Sequence, residues 1–296
     1  MSDVICIDIG GTAIKYGLIN DRQEFIFQKI LDSKASEGGP ALIEQIVSLI
    51  DCLQNQYEIR GVSISTPGVV DAAKGEILIC GPNIPDYSGT PLKAILEERL
   101  HLCVEVENDV NCAALAEAKC GAAKGFSHAF VMTIGTGIGG CFVVDGKVLS
   151  GASGAACEVG FMPFEDSFFE FKGSASALCR HVQERKPESS GVWTGKRILE
   201  EAARYDLVCC QEIDRTCCIL GKGLSVIASI LNPDVIVLGG GIMKASDVLI
   251  PKIQSELKER MMEYSYRSLT IKPALFENNA GMLGAYLNFQ ARHPSH

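Results

Sequence analysis

A short glycine turn between two apolar strands opens this chain and returns near its middle, and no other feature restricts the fold as much. Val4-Ile5-Cys6-Ile7 is rich in β-branched residues, Asp8-Ile9-Gly10-Gly11-Thr12 interrupts it, and Ala13–Ile19 resumes an extended pattern. That reads as strand, tight turn, strand. Adjacent glycines permit positive φ and carry no Cβ, so another backbone or a phosphate can come close. Thr12 adds a hydroxyl and Asp8 a carboxylate at the mouth of the turn. The pattern recurs as Phe130-Val131-Met132-Thr133-Ile134, the turn Gly135-Thr136-Gly137-Ile138-Gly139-Gly140, and Cys141-Phe142-Val143-Val144. A third glycine turn, Gly239-Gly240-Gly241, follows Val235-Ile236-Val237-Leu238. Two hairpins of like design imply two related lobes facing each other. A polyanion held by backbone N–H groups fits between such turns.

Bulk properties narrow the function. A chain of 296 residues is long enough for two domains with separate cores. A formal net charge of -9 with no basic run argues against nucleic acid or an anionic membrane as partner. No signal peptide is expected, and residues 224–231 are far shorter than the roughly 18 apolar residues of a membrane span. The 13 cysteines lack C-x-x-C spacing, which fits reduced, buried thiols in the cytoplasm. Cys209-Cys210 and Cys217-Cys218 are neighbours whose side chains would point about 100° apart on a helix, as packing residues rather than metal ligands.

Periodicity gives the order of elements. The spacing predicts a third strand over 24–31, and a helix opened by Gly38-Gly39-Pro40 with Leu42, Ile43, Ile46, Val47, Ile50 and Leu53 on its buried face. A strand over 61–65, a helix from Thr90-Pro91, a strand over 103–106 and a helix to about residue 123 follow. After the second hairpin, 151–173 reads as irregular. Helices are expected near 174–183, 195–205 and 210–231, the last stopped by Asn232-Pro233, then near 246–264. Thr270–Pro273 reads as a strand and 279–291 as a closing helix. The expected lobes are 1–120 and 121–296, with the closing helix packing back on the first.

Three places invite chemistry. Gly135, Gly137 and Gly140 satisfy G-x-G-x-x-G, but that dinucleotide fingerprint needs a following helix and residues 141–144 read as β. A plain hairpin is the simpler reading of any one turn, although Thr12 and Thr136 at equivalent points are not required by it. Asn108-Asp109 follows an apolar strand and precedes a helix, at the carboxyl end where open α/β sheets bind ligands. Asp109 either caps that helix or accepts a proton from a substrate hydroxyl, as phosphoryl transfer to an alcohol requires. Glu158 lies among small apolar residues in Ala155-Ala156-Cys157-Glu158-Val159-Gly160, either on a solvated loop or meeting polar partners such as sugar hydroxyls. Asn83, on the rigid loop Gly81-Pro82-Asn83-Ile84-Pro85, is a similar case. Lys15 either reaches a phosphate or is a solvated strand lysine.

Together these residues carry a resemblance. Asp8-Ile9-Gly10-Gly11-Thr12, Thr66-Pro67-Gly68, Glu107-Asn108-Asp109-Val110-Asn111, Ile134 to Gly140, Glu158-Val159-Gly160 and Gly239-Gly240-Gly241 occur in the order seen in the ROK family of sugar kinases, which the chain resembles over nearly its whole length. The resemblance implies an α/β protein of the actin-like/ribonuclease-H-like ATPase fold, two lobes around a central cleft, assembled as a homodimer. It implies ATP with Mg²⁺ at the glycine turns (Asp8, Gly10, Gly11, Thr12, Thr136, Gly137, Gly240), Asp109 as the catalytic base, and Gly68, Asn83, Asn108, Asp109, Glu158 and Glu170 around the sugar. Glu170 is carried over from Glu170-Phe171-Lys172-Gly173-Ser174-Ala175-Ser176-Ala177-Leu178, similar to the family's Glu-x-Tyr-x-Ser-x-x-Ala-Leu.

Many family members continue Glu-Ile-Gly-His into a cysteine cluster that binds structural zinc. Here Phe161 stands in place of the histidine and 162–173 holds no cysteine, so no zinc is expected and strict glucose specificity is in doubt. Zinc-free relatives with an aromatic residue there resemble β-glucoside and N-acetylmannosamine kinases. The expected activity is ATP-dependent phosphorylation of a 6-hydroxyl, foremost on a β-glucoside such as cellobiose. N-acetylmannosamine kinase, glucokinase and a non-catalytic sugar sensor are the alternatives. A family repressor would precede the hairpin with a helix-turn-helix, which this chain does not show.

Overall fold

The computed structural model describes residues 3–294, the Glu277 side chain excepted. The termini of the two expected lobes, residues 1–2 and 295–296, lie outside the described residues. The chain divides into two compact units, one of residues 1–116, 150–156 and 278–296, the other of 117–149 and 157–277.

In the first unit β1 (Asp3–Ile9), β2 (Ala13–Ile19) and β3 (Phe25–Asp32) form an antiparallel meander. Then come α1 (Gly39–Gln54), β4 (Ile59–Thr66), a small hairpin of β5 (Val69–Asp71) and β6 (Glu76–Ile79), α2 (Leu92–Leu100), β7 (Cys103–Asn108) and α3 (Asp109–Cys120). The sheet order is β3-β2-β1-β4-β7, and β4 pairs in parallel with β1 and β7. The apolar stripe of α1 is buried at every expected position. It joins Ile5, Ile7, Val62, Ile64, Val104 and Val106 of the central strands in one core.

The closing helix, Ala280–Arg292, seats Met282, Tyr286 and Phe289 against Val4, Cys6 and Ile19 of the same unit. Its close approach depends on Gly284, where a Cβ would collide with the backbone carbonyl of Cys112 in α3.

The second unit repeats the plan. β8 (His128–Ile134), β9 (Ile138–Val144) and β10 (Lys147–Val148) form the meander. A ribbon of β11 (Pro163–Phe164) and β12 (Ser167–Phe168) leads into α4 (Phe169–Gly173), α5 (Ala175–Arg185), α6 (Gly195–Ala203) and α7 (Leu207–Leu231). After β13 (Val235–Gly239) come α8 (Ser246–Arg260), α9 (Glu263–Ser268) and β14 (Thr270–Pro273). The order β10-β9-β8-β13-β14 and the parallel β8–β13–β14 pairing match the first unit strand for strand. This duplicated α/β arrangement is that of the actin-like/ribonuclease-H-like ATPases. The strand β9 directly after Gly137 also removes the helix a dinucleotide fingerprint needs.

Several local expectations are corrected. The stretch 151–173 is not irregular throughout, because it holds the β11–β12 ribbon and α4. The helix expected over 246–264 stops at Arg260 with Met261 extended, and α9 restarts at Glu263. No residue there breaks helices; Met261 instead packs on the core of the unit. Helix α7 begins three residues before its expected start, since the Asp206 side chain caps it by accepting from the Cys209 N–H at 3.0 Å. The thiols are not uniformly buried either: Cys52 and Cys103 are exposed. Among the described residues no helix is long and apolar enough to cross a membrane.

The helix seat makes a direct prediction. Gly284→Ala should destabilise the protein by about 2–3 kcal/mol through overpacking, whereas Gly11→Ala, whose Cβ would meet nothing within 4 Å, should change stability by no more than about 0.5 kcal/mol. Urea melts of both variants check the ranking, and equal midpoints would refute the close approach.

Candidate active site

In the first unit the polar residues collect at the carboxyl ends of the parallel strands. The register pairs Asp8 with Ser65, Ser65 with Glu107 and Thr66 with Asn108. Ser65 Oγ donates to Asp8 Oδ1 at 2.7 Å, and Lys15 Nζ lies 3.5 Å from Asp8 Oδ2. Lys15 Nζ also donates to the Asn278 carbonyl at 3.2 Å, and its side chain stays 29% exposed. Gly281, in the first turn of the closing helix, faces this carboxylate, and a Cβ there would strike it. Asp8 therefore sits against a helix N-terminus, which favours its negative charge.

Asn108 ends β7 and Asp109 begins α3. The helix is capped by Asn108, whose Oδ1 accepts from the backbone N–H of Val110 at 2.8 Å and of Asn111 at 3.0 Å. Its Nδ2 donates to the Gly68 carbonyl at 2.9 Å and to Asp109 Oδ1 at 3.0 Å. Asp109 Oδ1 also accepts from the Val110 N–H at 2.9 Å, and the side chain stays partly exposed. Asn108 thus fixes Gly68 and Asp109 relative to each other, a role the sequence did not disclose. Behind them Glu107 is buried; its Oε1 accepts from the Asn108 N–H at 2.8 Å and Asn111 Nδ2 at 3.0 Å. Burial pushes its acid above the ordinary glutamate value despite those bonds. Gly68 has φ 103°, and Asn83 lies exposed in the turn after β6.

In the second unit Glu158 and Glu170 come together. Glu158 heads the short 3-10 turn Val159–Phe161, half-buried, and its carboxylate has no hydrogen-bond partner among the described residues. Burial first, and then the Glu170 charge, raises its acid above the usual value. Glu170, on α4, accepts from the Ile138 N–H at 3.4 Å. Its carboxylate tip lies 2.5 Å from where a Cβ on Gly137 would stand. Phe161 is 58% exposed, its ring edge-on to Phe168 at 6.1 Å.

The glycines of the turns fall into two groups. At Gly10 a Cβ would lie 2.7 Å from the Ala13 carbonyl, and at Gly240 (φ 99°) it would collide with Ile134. At Gly11, Gly135 and Gly241 it would meet no protein atom within 4 Å. Gly135 and Gly241 follow β8 and β13, neighbouring parallel strands. Both lie in the glycine turns expected to hold a polyanion, although the resemblance places the nucleotide on Gly137 and Gly240. Thr12 and Thr136 are exposed at the two turn tips, and neither hydroxyl has a hydrogen-bond partner among the described residues. Among the described residues no group of three or more His, Cys, Asp or Glu side chains is placed to hold a metal ion.

The paired carboxylates set a titration. Glu170→Gln should let Glu158 titrate at lower pH than in the parent, yet still above the ordinary value because burial persists. An acid with a raised folded value adds stability only at low pH and loses it as pH rises through that value, so the variant should not be less stable at pH 7 on this account. Carbon-detected NMR of the carboxyl groups reads the shift, and an unmoved Glu158 would mean the two do not interact.

Comparison with known proteins bears on this arrangement. The model of the ROK family matches residues 4–292. An uncharacterized protein of Clostridium perfringens is 42% identical over 96% of both chains. A beta-glucoside kinase of Listeria monocytogenes is 30% identical over 97% of both. Among solved structures, a ROK family glucokinase from Streptomyces griseus in complex with glucose and AMPPNP superposes with TM-score 0.83 at 26% identity, covering 96% of this chain and 98% of that one. With motif order, duplicated sheet and family match agreeing from end to end, the chain belongs to the ROK family, as one of its sugar kinases.

Proposed function

We propose that the protein transfers the γ-phosphoryl group of ATP to the 6-hydroxyl of a β-glucoside. The observation that carries the reading is Asp109: a partly exposed carboxylate at the carboxyl end of a parallel strand, in a helix whose cap is another residue. A carboxylate in that position takes the proton of the attacking hydroxyl. Asn108 acts as a positioning residue through its bond to Asp109 Oδ1. Glu158 and Glu170 accept hydroxyl hydrogens of the sugar, and Asn83 and the Gly68 loop complete its contacts. Phe161, where a histidine would otherwise contact the ring, favours a glucoside over free glucose; a beta-glucoside kinase stands among the relatives at 30% identity, beside glucokinases at 28%.

Nucleotide binding fits the turns. Gly11, Gly135 and Gly241 leave open space that no protein atom claims, and Thr12 and Thr136 offer unused hydroxyls. Backbone N–H groups there would meet phosphate oxygens, as successive amides in turns commonly do. Asp8, 19% exposed, would hold the accompanying Mg²⁺ as a hard oxygen donor. The metal neutralises charge on the phosphate oxygens when bound. By the same resemblance the working unit is a cytoplasmic homodimer.

Asp109→Asn should lower kcat about 10²-fold or more while calorimetric sugar affinity stays within about threefold; near-normal turnover would refute the base. Gly135→Ala or Gly241→Ala should raise the KM for ATP about tenfold with an unchanged melting temperature. A melting loss with normal ATP affinity would make these glycines structural. ADP release on cellobiose, other β-glucosides, glucose and N-acetylmannosamine ranks the substrates.

A further inference from the structure

Within the second unit a pocket of about 270 Å³ opens beside Glu158. Its walls are Cys157, Val159, Met162, Ile227, Ile230 and Leu231, and Glu158 is its one charged side chain. Three of the wall residues come from the last turn of α7, which Asn232 closes in the left-handed conformation. Ile230 is 75% exposed although it forms part of this wall.

A cavity built to hold a polyol on all sides would present several donors and acceptors. This one is lined by the half-buried Glu158, the Cys157 thiol and otherwise apolar side chains. Its occupant must therefore carry a hydroxyl at one end, for Glu158, and an apolar group at the other. We infer that the pocket takes the apolar aglycone of a glycoside whose sugar ring donates a hydroxyl to Glu158. The inference rests on the assignment of Glu158 to the sugar made above, and it narrows the substrate to glucosides of aryl or alkyl alcohols. A disaccharide such as cellobiose would place a second polyol against these mostly apolar walls, with one carboxylate for its hydroxyls.

The test compares methyl β-glucoside, phenyl β-glucoside and cellobiose by ADP release at saturating Mg-ATP. Phenyl β-glucoside should show a KM about tenfold below the other two. Ile230→Asp should raise the KM for phenyl β-glucoside about tenfold more than that for methyl β-glucoside. Ile230 is exposed enough to tolerate the change; should it not, Ile230→Gln serves. Equal KM values for the three glycosides, or a variant that weakens phenyl and methyl glucosides alike, would overturn the inference. So would a variant that changes only the mass in light scattering, for then the pocket is a contact between copies of the chain. If no sugar is phosphorylated, the proposed phosphoryl transfer fails separately. Calorimetry then decides the pocket alone, by whether phenyl β-glucoside binds more tightly than methyl β-glucoside.

Discussion

The parallel register of β1, β4 and β7 governs the first unit. With Asp8 opposite Ser65 and Ser65 opposite Glu107 on one face of the sheet, and Thr66 opposite Asn108 on the other, side chains scattered over about a hundred positions of sequence meet at the strand ends. A slip of one residue would exchange the two faces of a strand and take Ile7, Ile64 or Val106 out of the core they share with α1. Those three are fully buried, so the core holds the register that the polar side chains need. The set is then completed from outside the sheet. The closing helix brings Gly281 to Asp8, and the Gly68 loop is fixed by Asn108. Stability and chemistry share these contacts: Gly281 and Gly284 lie on a helix that must approach closely to cover the core, and the approach leaves no room for side chains.

The second unit has the same strand order and a different distribution of polar groups. Its parallel strands end in glycines rather than carboxylates, at Gly135 and at Gly239 to Gly241. Its carboxylates, Glu158 and Glu170, come from the stretch between β10 and α5, which has no counterpart in the first unit's meander. Duplication thus supplied two scaffolds with open strand ends. One became rich in acidic and amide side chains, the other in bare backbone suited to an anion.

How much of this was legible in the sequence depended on the range of the interaction. The hairpins, the face of α1 and the stop at Asn232-Pro233 are coded within a few residues, and the chain folds there as its local pattern says. The break after Arg260 is not coded locally, because Met261 is drawn out of the helix by the core. The β5–β6 hairpin went unread because its strands span three and four residues, too few for alternation to register. At the site, Asp109 and Glu158 were visible as carboxylates in unusual company, whereas the roles of Asn108, Ser65 and Gly281 depend on partners 40 to 273 positions away. Lys15 shows the same limit: its partners, Asp8 and the Asn278 carbonyl, are set by strand pairing and by the end of the chain.

Glycine is where sequence motif and physical cause separate most clearly. A motif counts Gly10, Gly11, Gly135, Gly137, Gly240 and Gly241 alike. Geometry does not, since Gly10 and Gly240 make way for the protein's own carbonyls, and Gly11, Gly135 and Gly241 make way for nothing in the chain. A glycine enforced by packing stays invariant to the ligand, so its substitution reads out in folding. One that faces open space costs conformational entropy on folding with no contact in return. None of Gly11, Gly135 and Gly241 adopts positive φ. These three glycines, which the protein itself does not use, leave bare backbone at the turns.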